Sequence, residues 1–314
     1  MSAVGGAAFP TAAPGFVAAQ RRWVLPLFLA AALAFHGAAP SIGVQAALLV
    51  LAVAAGMPHG ALDGRLGRAL LAPSFGARWA APFLVGYVAL AGAMLLLWRV
   101  APGIALATFL VLAAIHFGEG RRWTSRLATG AAPLVVAAAA HQTELASLFG
   151  TLAGEANGIV LASVLAGPVA ILWLTACIAA AVSNPSLGSA IETAVVVMLF
   201  AATPPLVAFS LYFALLHAPR ALVAEAGGDL TRALQEAAPY TAAALLAGVA
   251  LWLVQSDLPT GPAAIRTSFQ LLGALTLPHM ALAALPRRAA RDLGRVRPRP
   301  SCPPPIGSCH TSGI

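Results

Sequence analysis

The sequence contains no lysine, and only 9% of its residues carry a formal charge. A water-soluble domain usually carries about 25% charged residues. With 60% hydrophobic residues besides, this 314-residue chain lacks the polar surface that a water-facing globule needs. Acids are scarcer than bases: ten Asp and Glu against 18 arginines, a net charge of +8. An excess of base can mark a nucleic-acid binder. Here the arginines lie in short segments beside apolar runs and in a tail, as the positive-inside rule requires, so a lipid bilayer is the expected partner and nucleic acid is not. Cysteine is rare as well. Cys177 sits in an apolar run and reads as a small buried hydrophobe. Cys302 and Cys309, with His310, lie in the Pro-rich tail SCPPPIGSCH, where their spacing is too wide for a haem-attachment motif or a zinc knuckle.

What is abundant is long apolar sequence. A membrane-crossing helix needs about 20 mostly apolar residues. Ten such runs are predicted: 23–39, 42–58, 79–98, 101–118, 128–149, 158–182, 188–203, 205–222, 239–256 and 267–285. The fold class predicted is all-α, a polytopic membrane bundle forming one domain over residues 21–290. An uncharged Ala/Gly/Pro-rich leader, 1–20, precedes it, and an Arg/Pro-rich tail, 291–314, follows; both are expected to be disordered. Arg21 and Arg22 precede the first run with no convincing cleavage site after it, so that run is expected to stay as a helix. Arginine clusters fall before the first run and after the second, fourth, eighth and tenth, with Arg99 and Arg266 on the opposite side. This distribution places both termini in the cytoplasm, and the chain in the inner (plasma) membrane as a multi-pass protein. The many Ala and Gly residues suit close helix packing.

The same count sorts the seven histidines. His59, His116 and His217 end even-numbered runs on the cytoplasmic side, and His279 lies about two turns before Arg287, slightly deeper on that side. His36 and His141 fall toward the opposite face. An imidazole in hydrocarbon is costly, and one alone is usually a core residue bonded to a neighbouring helix. Four at similar depth point to a shared task, and neutral imidazoles are natural ligands for a transition metal. If the segment is helical, Asp63 shares a face with His59, where it can support an imidazole or pair instead with Arg65 or Arg68. Glu119 stands similarly near His116, with Arg121 and Arg122 as competing partners. Arg220 reads as a topology signal. Tyr212 and Phe213 can line an apolar cavity or simply pack a helix face.

At these residues the chain resembles the Brp/Blh family of membrane-bound β-carotene 15,15′-dioxygenases. The resemblance rests on PHGALD at 58–63, HFG at 116–118, HAPR at 217–220 and LPHM at 277–280, in the family's order. It implies an iron enzyme that splits the central double bond of β-carotene with O2 to give two retinals, and a functional link to a retinal-binding rhodopsin. It implies Fe(2+) held by His59, His116 and His217, with His279 as a further ligand, Asp63 and Glu119 as supports, and Tyr212 and Phe213 against substrate. The chain departs from the family's pattern at Ala221: the family has a second histidine four residues after the one matching His217, and here that position is alanine. From the residues alone, other readings stay open: a bis-histidine haem protein, a transporter, or a non-catalytic binder of carotenoid or retinal. Glu144 and Glu192, acids within apolar runs, have no obvious partner.

Overall fold

Segments with so little charge must satisfy their own backbone N–H and C=O groups, and helices do so without a partner strand. The computed structural model, which describes residues 12–120, 122–183, 187–255 and 257–285, is accordingly helical, with no strand among those residues. In chain order the helices are α1 (Pro14–Ala34), α2 (Ile42–Gly60), α3 (Asp63–Phe75), α4 (Ala80–Val100), α5 (Pro102–His116), α6 (Trp123–Ala140) and α7 (Gln142–Ala153). There follow α8 (Glu155–Val164), α9 (Ala170–Ser183), α10 (Leu187–Ala202), α11 (Pro205–Tyr212), α12 (Ala218–Ala226), α13 (Leu230–Leu253) and α14 (Thr260–Ala284). Two π-helical stretches, Leu165–Val169 and Phe213–His217, join α8 to α9 and α11 to α12.

Each of the ten runs expected from sequence overlaps a helix or a consecutive pair of helices; α3 is additional. Among the described residues, six helical stretches are long and apolar enough to cross a membrane: Pro14–Ala34, Ile42–Arg78, Ala80–Val100, Glu155–Ser183, Pro205–Ala226 and Leu230–Leu253. Pro102–His116 and Leu187–Ala202 are apolar but shorter. Helix α1 starts at Pro14, inside the segment expected to be a leader. The run expected at 128–149 is cut at His141, whose backbone leaves the helical region (φ −132°, ψ 42°) before α7 begins. The Cys302–His310 segment and the arginines from Arg287 onward lie outside the described residues.

Local signals agree with the boundaries. Pro102 and Pro205 open α5 and α11, where a missing N–H costs nothing. Gly227, with φ of 66°, ends α12 in the left-handed conformation, and the Asp229 side chain then caps α13 by accepting from the Arg232 N–H. Packing centres on α14, which is buried continuously from Thr267 to Ala274 and lies against α2, α4 and α5. Helix α4 is peripheral: Val85, Val88 and Leu96 are 71%, 66% and 61% exposed, an outward face that suits hydrocarbon rather than water. Small residues set the closest approaches. A Cβ on Gly130 of α6 would fall 2.0 Å from the Ala114 carbonyl oxygen, so glycine there lets α6 seat against the end of α5.

Candidate metal centre

The four clustered histidines come from four helical segments. His59 is in the last turn of α2, His116 is the last residue of α5, His217 closes the π stretch, and His279 follows Pro278 in α14. Helices α11, α14 and the π stretch all pack on α2, which brings these ends together. One ring nitrogen from each of His59, His116 and His217 lies within 4.8 Å of the other two. The Nε2 atoms of His116 and His217 are 3.0 Å apart. The His279 ring stands beside this trio, its centroid 4.9 Å from that of His116 and 6.2 Å from that of His59. His36 and His141 are not in the cluster.

Hydrogen bonds orient two of these rings. His59 Nδ1 donates to the Gly56 carbonyl one turn back, so a neutral ring carries its lone pair on Nε2. His279 Nδ1 donates to Asp63 Oδ1 at 2.8 Å, with both side chains buried. Tyr87 of α4 donates its hydroxyl to the other oxygen of the same carboxylate at 3.0 Å. Asp63 therefore supports His279, and not His59 as the sequence suggested. The turn at Ala61–Leu62 interrupts the helix between His59 and Asp63, so the two lose their shared face. Glu119 also differs from expectation. Helix α5 ends at His116, Gly120 turns the chain with φ of 102°, and the half-exposed Glu119 carboxylate meets Arg220 instead of an imidazole.

The trio and His279 suit a metal by the chemistry of their donors. Two nitrogens that share an ion at about 2.1 Å each stand roughly 3.0–3.4 Å apart, so His116 and His217 are already spaced to share one. Imidazole nitrogens in an apolar setting fit iron among other transition metals.

A cavity of about 220 Å³ opens beside the cluster. His59, His116 and His279 stand at its inner end, and Phe109, Phe209 and Phe213 form apolar walls. Toward the outer face it runs between α4 and α13, past Leu84 and Tyr240, which are 46% and 42% exposed. Phe213 lines this cavity, seated on Gly56, where a Cβ would fall 2.2 Å from the ring. Tyr212 does not: it packs against Phe117 and Phe200 and faces a second, small space beside Glu119 and Glu192. The π stretch that begins at Phe213 turns the two aromatics to different sides.

Four residues near the centre were missed or misread from sequence: Tyr87, Gln20, Glu192 and Arg220. Arg220 is 5% exposed rather than a loop charge, and it pairs with Glu192. An acid inside an apolar run requires a partner, so Glu192 was itself the signal for a buried cation.

The fold and these side chains define a helical protein with an apolar outer surface and a histidine cluster at the end of an apolar cavity. Residues 50–285 match the family described as beta-carotene 15,15′-dioxygenase. The chain belongs to this family, the Brp/Blh group. It is 29% identical over 284 residues to "Probable beta-carotene 15,15′-dioxygenase Blh" of Halobacterium salinarum, covering 76% of this chain and 82% of that one. It is 27% identical over 266 residues to the beta-carotene 15,15′-dioxygenase of uncultured marine bacterium 66A03, covering 74% and 90%. No solved structure matches.

Proposed function

We propose that this chain is a membrane-embedded, Fe(2+)-dependent dioxygenase that cleaves the central 15,15′ double bond of β-carotene with O2 to give two retinals. Both oxygen atoms enter the products, so no further reductant is needed. The observation that carries this reading is the meeting of His59, His116 and His217 nitrogens within 4.8 Å at the end of an apolar cavity, in a chain of this family. These three hold the iron, and His279, anchored by Asp63, faces the same space as a fourth imidazole. Bound iron supplies the place where O2 is activated. The chain does the rest. Phe109, Phe209 and Phe213 hold a polyene by shape, since the hydrocarbon offers no polar handle. The same walls keep water from the reacting atoms.

Arginine placement supports ten membrane crossings with both termini cytoplasmic, in the inner (plasma) membrane, and a single domain over 21–290. Retinal as product supports a functional link to a retinal-binding rhodopsin. A haem between His116 and His217 is disfavoured, because a macrocycle cannot fit between nitrogens 3.0 Å apart. Ala221 favours one second reading, a diverged carotenoid or retinal binder without turnover.

Expression under air in bacteria that accumulate β-carotene separates the two. Cleavage gives bleached cells containing retinal. Orange cells holding folded, iron-loaded protein would refute the enzyme and favour the binder.

The cavity's outer end supports entry from the bilayer between α4 and α13. Leu84→Trp at this mouth is expected to raise KM for β-carotene about tenfold with kcat little changed. Val85→Trp, 71% exposed and outside the lining, should alter neither, as measured in proteoliposomes.

A further inference from the structure

Pro219 has no N–H for the carbonyl of Leu215 four residues back, and its ring crowds that oxygen. The helix widens into the π stretch Phe213–His217 just before it. A carbonyl left unpaired in the interior of an apolar bundle is costly. A side chain from another helix meets it. Gln20 of α1, 1% exposed, donates its Nε2 to the Leu215 carbonyl at 2.7 Å and to the Leu216 carbonyl at 3.1 Å.

The other end of that amide is used as well. Gln20 Oε1 accepts from Arg220 Nε at 2.6 Å. The Arg220 fork grips both oxygens of Glu192 on α10, at 2.7 and 2.8 Å, and its Nη1 also reaches Glu119 at 3.1 Å. Arg21 donates to Glu192 at 2.6 Å, so two arginines meet two glutamates, and the two more buried members, Arg220 and Glu192, neutralise each other.

The offsets give this network its purpose. Glu119 follows His116 by three residues, and Arg220 follows His217 by three. The Arg220–Glu119 pair thus ties together the two segments whose imidazole Nε2 atoms meet at 3.0 Å.

We propose that Gln20, Arg220 and Glu192 are positioning residues, a buried clamp that holds the π stretch in register and so fixes the His217 imidazole against His116. The proposal rests on the metal-site reading above and extends it. It makes α1, which lies outside the family match at 50–285, part of the centre.

The test uses purified full-length chain with two readouts, hydrogen–deuterium exchange and visible absorption on titration with Co(II) alone. Gln20→Leu removes the donor to Leu215; Arg220→Lys keeps the charge but loses the fork. Should Gln20→Leu fail to fold, Arg220→Lys and Glu192→Gln carry the test. Each variant is expected to exchange faster across 213–218, to bind Co(II) at least about tenfold more weakly with an altered d–d band, and to lower kcat with KM unchanged. Glu236→Gln, which breaks the exposed pairs with Arg65 and Arg232, should change none of these. Wild-type exchange in 213–218, or wild-type Co(II) affinity and spectrum, in the clamp variants overturns the proposal. Variants that show the exchange and Co(II) effects, beside wild-type chain that binds Co(II) yet in its iron-loaded form leaves β-carotene intact, refute the dioxygenase and uphold the clamp. Wild-type chain that takes up no Co(II) refutes both.

Discussion

Cells that accumulate β-carotene should stay orange when they express the His116→Ala chain, while wild-type cells bleach. The His116 ring lies close to both His217 and His279, with centroid separations of 4.7 and 4.9 Å. Its loss removes one nitrogen of the trio and the neighbour on which the others converge. The expected fall in retinal formation exceeds the roughly 10–100-fold loss typical of an outer-shell partner. Iron per purified chain should fall with it. His116 closes α5 and is only half-buried, so the helix should survive the change, and circular dichroism should match wild type. His141→Ala, outside the cluster, should still bleach. An orange-to-colourless change in the His116→Ala strain would show that His116 is not a ligand.

Asp63→Leu is expected to have the next largest effect. One carboxylate holds His279 at 2.8 Å and Tyr87 at 3.0 Å, and it is buried with both. Leucine fills similar space but takes the Asp63 acceptor from the Nδ1–H of His279 and leaves the Tyr87 hydroxyl the longer 3.5 Å approach to the Leu275 carbonyl, a costly outcome in an apolar interior. The His279 ring then loses the bond that fixes its orientation. Iron affinity and kcat should each drop about 10–100-fold. Asp63→Asn, which keeps one acceptor oxygen, should lose distinctly less. Equal losses in the two variants would show that the space matters and the hydrogen bonds do not. These numbers are best taken from kcat in detergent and from ferrous-iron titration of the same preparations.

Much of this centre is legible in the sequence, and the reasons are physical. Imidazoles are expensive in hydrocarbon, so His59, His116, His217 and His279 stand out against apolar runs. Arginine placement then predicts that they share one side. What the sequence hid was partnership. A helical spacing pairs Asp63 with His59, but the turn at Ala61–Leu62 breaks that register and sends the carboxylate to α14, 216 residues away in sequence. Glu119 is likewise read as one turn from His116 only if α5 continues, and it does not. Tyr212 and Phe213 look equivalent until the π stretch separates them. Arg220 resembles every other arginine that follows an apolar run. Only the folded chain brings Gln20, Glu192 and Glu119 from three other segments onto it. Contacts within one helix could be anticipated from spacing; contacts across the bundle could not.

The central claim is that imidazoles from separate helices share one iron. X-ray absorption at the iron K-edge of the reconstituted chain tests it most directly. The expected spectrum shows nitrogen neighbours at about 2.0–2.2 Å with the outer-shell scattering of at least three imidazole rings, reduced by one ring in His217→Ala. A first shell of oxygen alone, or a spectrum unchanged in His217→Ala, would contradict it.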